Sequence, residues 1–195
     1  SAPGKRFSED EKITDMLYKV HAEFLRGEDF SGTLEKISER YKKIVSDLGI
    51  NFDVAEEIST LKKNLSANPD YPASRGEYIN AKIIAKFLAW PFVDASEGIF
   101  FTESGALDEA KTFTTLGEIL KSHDFAVIPG FYATGYDGKI KTFSRGGSDI
   151  TGSIVASACR AGVYENWTDV SGLLMADPHN VSNPAVMSNI TYREI

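Results

Sequence analysis

Phe143-Ser144-Arg145-Gly146-Gly147-Ser148-Asp149-Ile150-Thr151 is the run of this 195-residue chain that says most about its chemistry. Two adjacent glycines let the backbone turn sharply and come close to a ligand. Ser148 and Asp149 suit the N-cap of a following helix, predicted to run to about Arg160 with Gly162 as its stop. The free N–H groups and the dipole of such a helix start favour an anion. Arg145 adds a planar cation whose fork matches a carboxylate or a phosphate. The same residues also suit a plain glycine turn capped by Ser148 or Asp149, with Arg145 in solvent. The run is not the phosphate loop ending in Gly-Lys-Ser/Thr, nor the Gly-x-Gly-x-x-Gly dinucleotide fingerprint.

Immediately before the run, Tyr136-Asp137-Gly138-Lys139 predicts a hairpin, because Asp-Gly favours tight turns. Phe125-Ala126-Val127-Ile128 has the composition of a buried strand ending at Pro129-Gly130. Strands are also expected at 92–95 and 99–102, with a short helix at 116–122 between them and the 125–128 run. Further upstream the chain turns helical. Met16, Leu17, Val20, Phe24 and Leu25 mark a helix over 14–26. Leu34, Ile37, Tyr41, Ile44 and Val45 mark one over 34–48, stopped by Gly49. A third is expected over 52–65. Asn68-Pro69-Asp70-Tyr71-Pro72 breaks the chain before a fourth over 74–88. Strands alternating with helices predict an α/β fold with a largely parallel sheet.

Composition narrows the function classes. The formal charge of −7 argues against a general nucleic-acid binder or a partner of anionic membranes. A small anionic ligand stays compatible, because a pocket can be locally positive. The single cysteine, Cys159, excludes an intrachain disulfide and is expected as a buried, inert thiol of a cytoplasmic protein. His21, His123 and His179 are far apart and offer no zinc spacing. No apolar run approaches the ~20 residues of a membrane span.

Two further segments carry chemistry. Ser74-Arg75-Gly76-Glu77 lies at a predicted helix start, where a carboxylate is stabilised by the dipole or could receive a substrate ammonium. In Asn166-Trp167-Thr168-Asp169-Val170-Ser171-Gly172-Leu173-Leu174-Met175-Ala176-Asp177-Pro178, Thr168 and Asp169 follow a predicted strand at 161–167. Ligands of open α/β sheets sit at that edge. An ordinary loop with an Asp-Pro turn reads equally well there.

Together, the glycine loop, Thr168-Asp169-Val170-x-Gly172 and Ala176-Asp177-Pro178 resemble the amino-acid kinase family. Ser74-x-Gly76-Glu77 makes the aspartokinase members of that family the best match. Ser1-Ala2 and Ile13-Thr14-Asp15 resemble the family's second glycine-containing loop, with extra residues between them. The resemblance implies a three-layer α/β/α sandwich with a mainly parallel central sheet, of the carbamate kinase-like kind. It covers the whole chain and implies a catalytic domain incomplete at both ends. Residues 1–128 would form mainly a substrate-binding lobe with a helical insertion, and 129–195 the glycine loop and nucleotide-binding lobe. The reaction implied is transfer of the ATP γ-phosphoryl group, with Mg²⁺, to the side-chain carboxylate of L-aspartate. This is the first step towards lysine, threonine and methionine.

Residue by residue, the resemblance assigns aspartate binding to Ser1, Thr14, Glu77, Arg145, Gly146, Gly147 and Ser148. It puts Asp149 and Arg145 beside the reacting groups, and Thr168, Asp169, Leu174, Asp177 and His179 at the nucleotide. A carboxylate nucleophile is already ionised at neutral pH, so no general base is needed. The work is to align two anions and offset their charge. The pattern also departs from the family. A Lys-Phe-Gly-Gly strand is absent, His179 stands where Asp-Pro-Arg would end, and Leu174 where an aromatic residue often lies. From the missing lysine the 195-residue chain is expected to turn over little or no substrate. A homo-oligomer is compatible with the resemblance. So are a related kinase acting on glutamate, acetylglutamate or a nucleotide, and a non-catalytic ligand-binding domain.

Overall fold

A computed structural model describes residues 1–66, 68–144, 146–167, 172, 174–177 and 180–187. Seven helices and one two-stranded sheet are found among them. The chain divides into two units, Ser1–Tyr164 and Glu165–Ile195, each taken separately below.

Four helices open the first unit: α1 (Ile13–Leu25), α2 (Ser31–Asp47), α3 (Val54–Lys63) and α4 (Asp70–Leu88). The periodicity of the sequence fixes their buried faces. Ile13, Met16, Leu17 and Val20 of α1 pack with Leu34, Ile37, Tyr41 and Val45 of α2, and with Ile79 and Ile83 of α4. Gly49 stops α2 at φ +63°, and the Asp53 carboxylate caps α3 by accepting from Glu56 N at 3.0 Å. Burying each large aliphatic side chain of this cluster contributes roughly 1.5–3 kcal/mol.

α4 starts four residues before the predicted 74. Its first residue, Asp70, donates its N–H to Asn68 Oδ1 at 2.9 Å. Pro72 then lies in the first turn, where backbone N–H groups have no helical partner and proline costs nothing. The Pro-rich break is therefore a helix start. Glu77 sits two turns into α4, so the expected first-turn dipole stabilisation does not apply.

The second cluster is built on α5 (Ala95–Gly98), α6 (Glu109–Lys121), β1 (Tyr132–Thr134), β2 (Ile140–Thr142) and α7 (Gly147–Ala158). The expected hairpin is present: β1 and β2 pair antiparallel, with Tyr132 opposite Thr142 and Thr134 opposite Ile140. The expected strands at 92–95 and 99–102 are reduced to isolated bridges. Phe92 pairs parallel with Val127 and Phe100 parallel with Thr134. The Asp94 side chain caps α5 instead of continuing a strand, accepting from Ser96 N at 3.0 Å. Phe125, expected within a buried run, is 60% exposed and stacks on Trp90. α6 begins seven residues before the predicted 116, because three threonines at 112, 114 and 115 weaken the helical signal. Packing overrides that weakness: Thr112 is fully buried and its Oγ1 accepts from Phe100 N at 3.0 Å. Ala95, Ile99, Leu116, Tyr132, Ala133 and Ile154 form this core, and Tyr78 of α4 packs against both clusters.

α7 departs from expectation at both ends. Its N-cap is Gly146, left-handed at φ +56°, so Ser148 and Asp149 occupy the first turn instead of capping it. The C-terminal left-handed residue is Arg160 at φ +52°, not Gly162. Ala161 N reaches Ala156 O at 2.8 Å and Arg160 N reaches Ser157 O at 3.0 Å, a Schellman closure that forces this conformation one residue past the cap. Cys159, expected buried, is exposed because it falls on that cap. No strand forms at the described residues 161–167.

In the second unit, Leu174 pairs antiparallel with Val186, and Met175 N donates to Ala185 O at 2.9 Å. No helix of the described residues is long and apolar enough to cross a membrane.

Candidate functional site

The middle of α4 meets three other segments around one carboxylate. Gly76 makes this approach possible. A Cβ there would stand 3.0 Å from Ala2 Cβ, 3.2 Å from Leu17 Cδ1 and 3.3 Å from Ile13 Cγ2. The Gly76 carbonyl accepts from the buried Tyr41 hydroxyl at 2.8 Å. Burial, and then the negative charge of Glu77, push the Tyr41 phenol well above its ordinary range, so it remains a donor.

Glu77 is buried, with its side chain 9% exposed. The Ser1 nitrogen lies 3.0 Å from Oε2, and Ser148 Oγ lies at hydrogen-bonding limit, 3.5 Å, from Oε1. Oε2 accepts no hydrogen bond among the described residues. Asn80, one turn further along α4, donates Nδ2 to the Ser1 carbonyl at 2.7 Å. Thr14 is half-buried in the first turn of α1, next in sequence to Ile13. A buried carboxylate is costly unless a cation or donors meet it, and among the described residues the Ser1 nitrogen is what meets Oε2.

α7 presents its first turn to this carboxylate. Its approach depends on two glycines facing one another's neighbours. A Cβ on Gly147 would lie 2.9 Å from Phe131 Cα, and one on Gly130 would lie 2.8 Å from Ser148 Cα. Phe131 is held left-handed at φ +79°, with its N–H on Thr151 Oγ1 at 3.2 Å. Thr151 in turn donates to Gly147 O at 2.6 Å. Asp149 is exposed on the first turn, while its backbone carbonyl accepts from Ser153 Oγ at 3.1 Å. Because Gly146 occupies the cap, neither the Ser148 hydroxyl nor the Asp149 carboxylate is used up in capping.

The structure thus brings Ser1 and Ser148 to Glu77, with Gly147 next to Ser148 at the α7 start; no contact joins Thr14 or Asp149 to Glu77 among the described residues. Arg145, Thr168, Asp169 and His179 lie outside the described residues. Leu174 and Asp177 belong to the second unit, where the Asp177 carbonyl accepts from Asn180 N and Val181 N, each at 3.0 Å. No group of three or more His, Cys, Asp or Glu able to hold a metal is found among the described residues.

Arg75 went unread in the sequence. It is buried two residues before Glu77 in α4, with its guanidinium 4.2 Å from the ring centre of Tyr78, 4.8 Å from Tyr71 and 5.3 Å from Tyr132. Nε and Nη2 donate to Ser74 Oγ at 3.1 and 3.0 Å. Tyr132 donates to Asp94 Oδ1 at 2.8 Å, so the cation fixes α4 against β1 and the cap of α5.

Residues 10–195 match the profile of the amino acid kinase family. Aspartokinase 3 of Bacillus subtilis is 34% identical over the whole of this chain, which corresponds to 46% of that relative. An aspartokinase of Rickettsia felis is 30% identical over 73% of the chain and 38% of its own length. The chain spans about half the length of the curated relatives it matches. Among solved structures, an aspartate kinase of Clostridium acetobutylicum superposes with a TM-score of 0.92 at 52% identity. That match covers all of this chain and 45% of that one. Aspartokinase III of E. coli, solved with aspartate and ADP, superposes with a TM-score of 0.71 at 22% identity over 90% of this chain and 44% of its own, a likeness of fold alone.

Proposed function

The chain belongs to the amino acid kinase family, and we propose that it forms the aspartate-binding part of an aspartokinase. The carrying observation is the buried Glu77 carboxylate, ion-paired through Oε2 and set against the first turn of α7. A zwitterionic amino acid fits that pairing. Its ammonium would pair with the Glu77 carboxylate beside Ser1, and its α-carboxylate would meet the N–H groups at the α7 start. Similarity to aspartokinases along the whole chain supports aspartate over other amino acids.

In this reading the reaction moves the ATP γ-phosphoryl group onto the aspartate side-chain carboxylate, giving 4-phospho-L-aspartate in a cytoplasmic biosynthetic route to lysine, threonine and methionine. The nucleophile arrives ionised, so the residues align and neutralise instead of removing a proton. Glu77 holds the ammonium, Ser148 and the Gly146-Gly147 amides hold carboxylate oxygens, and Arg145 adds positive charge. Mg²⁺ carried on the nucleotide supplies charge neutralisation at the phosphates. Such an ion needs only one or two protein carboxylates. Asp149, exposed on the first turn of α7, would stand beside the reacting groups. Thr168, Asp169, Leu174, Asp177 and His179 are the proposed nucleotide contacts. The two parallel bridges, Phe92 to Val127 and Phe100 to Thr134, support the beginnings of a three-layer sandwich with a mainly parallel sheet.

Calorimetric titration of the chain with L-aspartate, L-glutamate and N-acetyl-L-glutamate tests this reading. Saturable binding of aspartate, lost in Glu77→Gln, is expected. Preference for either of the other two, or aspartate binding unchanged in Glu77→Gln, overturns it.

A further inference from the structure

Residues 4–11 leave the Ser1–Ala2 segment and return to α1, and one side chain closes them into a loop. Arg40 of α2 is buried, although arginine is rarely so without partners. Its Nη1 donates to the Glu11 carbonyl at 2.7 Å, and its Nη2 donates to the Gly4 carbonyl. The same guanidinium lies 3.3 Å from Asp10 Oδ2. Asp10 is held on its other side by Arg6, which donates from its backbone N at 3.0 Å, from Nε at 2.8 Å and from Nη2 at 3.0 Å. One planar fork therefore grips both ends of the loop, a geometry that a lysine point charge does not reproduce.

What the loop delivers lies at its two ends. Before it, Ala2 packs against Gly76 and Ser1 meets Glu77 and Asn80. After it, Ile13 N donates to Pro3 O at 3.3 Å and leads directly to Thr14. Glu77 itself is fixed by α4 packing, whereas among the described residues Arg40 is the side chain of α2 that donates to both ends of the segment over it.

We propose that Arg40 is a positioning residue of the amino-acid site, acting through residues 4–11 to hold Ser1 and Ala2 over Glu77 and Gly76. This rests on the reading of Glu77 as the aspartate-ammonium partner. Arg40 touches no substrate in this scheme. It keeps the segment in its binding geometry before the ligand arrives, so that its loss appears as weaker binding.

The test compares the full chain with Arg40→Met, Arg40→Lys and Asp10→Asn, using Lys43→Ala on the exposed face of α2 as the control. Two readouts are taken: aspartate affinity by calorimetry, and the rate of tryptic cleavage after Lys5, Arg6 and Lys12. Arg40→Met is expected to cleave faster in the loop and bind aspartate about tenfold more weakly. Arg40→Lys should recover part of both losses, and Lys43→Ala neither. By linkage, saturating aspartate should slow loop cleavage in Arg40→Met. If Arg40→Met does not fold, Asp10→Asn must show the same paired losses in smaller measure. Faster cleavage with unchanged aspartate affinity overturns the inference alone. No aspartate binding by the unaltered chain overturns the Glu77 reading, and the inference with it.

Discussion

Helices α4 and α7 both reach the Glu77 carboxylate, and they do so by opposite means. α4 contributes its middle: residues 72–77 are buried in succession between α1, β1 and the aromatic rings around Arg75. Its backbone is internally hydrogen-bonded there, so only side chains act. α7 contributes its beginning, where free N–H groups and the positive end of the dipole do the work and the side chains remain near solvent. A helix middle gives rigidity and a costly buried charge. A helix start gives electrostatic reach, at the expense of needing a glycine where another backbone crosses it.

Substitutions can break this contrast at graded strength. Ile83→Ala, in the core behind α4, should destabilise the fold by about 2–5 kcal/mol, read by thermal or denaturant melts. A loss well below that would mean α4 is not set by its packing. Glu77→Gln should weaken aspartate binding by about 2–5 kcal/mol without lowering the melting temperature, because it also removes a buried charge. A clear fall in melting temperature would make Glu77 a structural ion-pair partner instead. On the α7 side, Asp149→Ala should cost about 2 kcal/mol in kcat/KM of a catalytically competent enzyme. It should leave stability within about 0.5 kcal/mol, as befits an exposed residue. Gly147→Ala should cost about 1–3 kcal/mol of stability, since its Cβ would meet backbone at Phe131. A neutral result there would show that α7 can retreat from Phe131 freely.

The smallest effect concerns pH. Hydrogen bonds from Arg6, helped by the charges of Arg40 and Arg6, hold the Asp10 carboxyl well below its ordinary range. Its contribution is complete above the unfolded carboxylate pKa of about 3.9 and is lost as pH falls below that value. Melting temperatures measured downward from about pH 5 should therefore fall less in Asp10→Asn than in the unaltered chain. Parallel profiles would remove Asp10 from the loop's acid sensitivity.

Much of the α4 side was legible in the sequence, because Ile13, Met16, Leu17 and Val20 or Leu34, Ile37 and Tyr41 repeat with the period of a helix. The start of α4 was hidden by a rule of thumb: proline breaks helices in their interiors but opens them in their first turn. Around α7, the Gly146-Gly147 pair announced a ligand loop, yet which glycine caps and which yields space depends on Phe131, distant in sequence. Arg40 and Arg75 left no trace in any pattern. Each reads as a surface cation, and each is buried by partners brought in from elsewhere: loop carbonyls for one, tyrosine rings for the other. Arg145, Thr168, Asp169 and His179 rest on motif resemblance alone.

Cys159 offers a practical consequence. It is the sole thiol of the chain and sits in solvent at the C-cap of α7, the helix whose opposite end faces Glu77. Twelve helical residues separate the two ends, a span of about 18 Å. A maleimide fluorophore would therefore attach at one defined place without prior mutagenesis, too far away to obstruct an amino acid at the first turn. Its anisotropy or emission would turn the helix into a built-in gauge of whether ligand occupancy at one end is felt at the other.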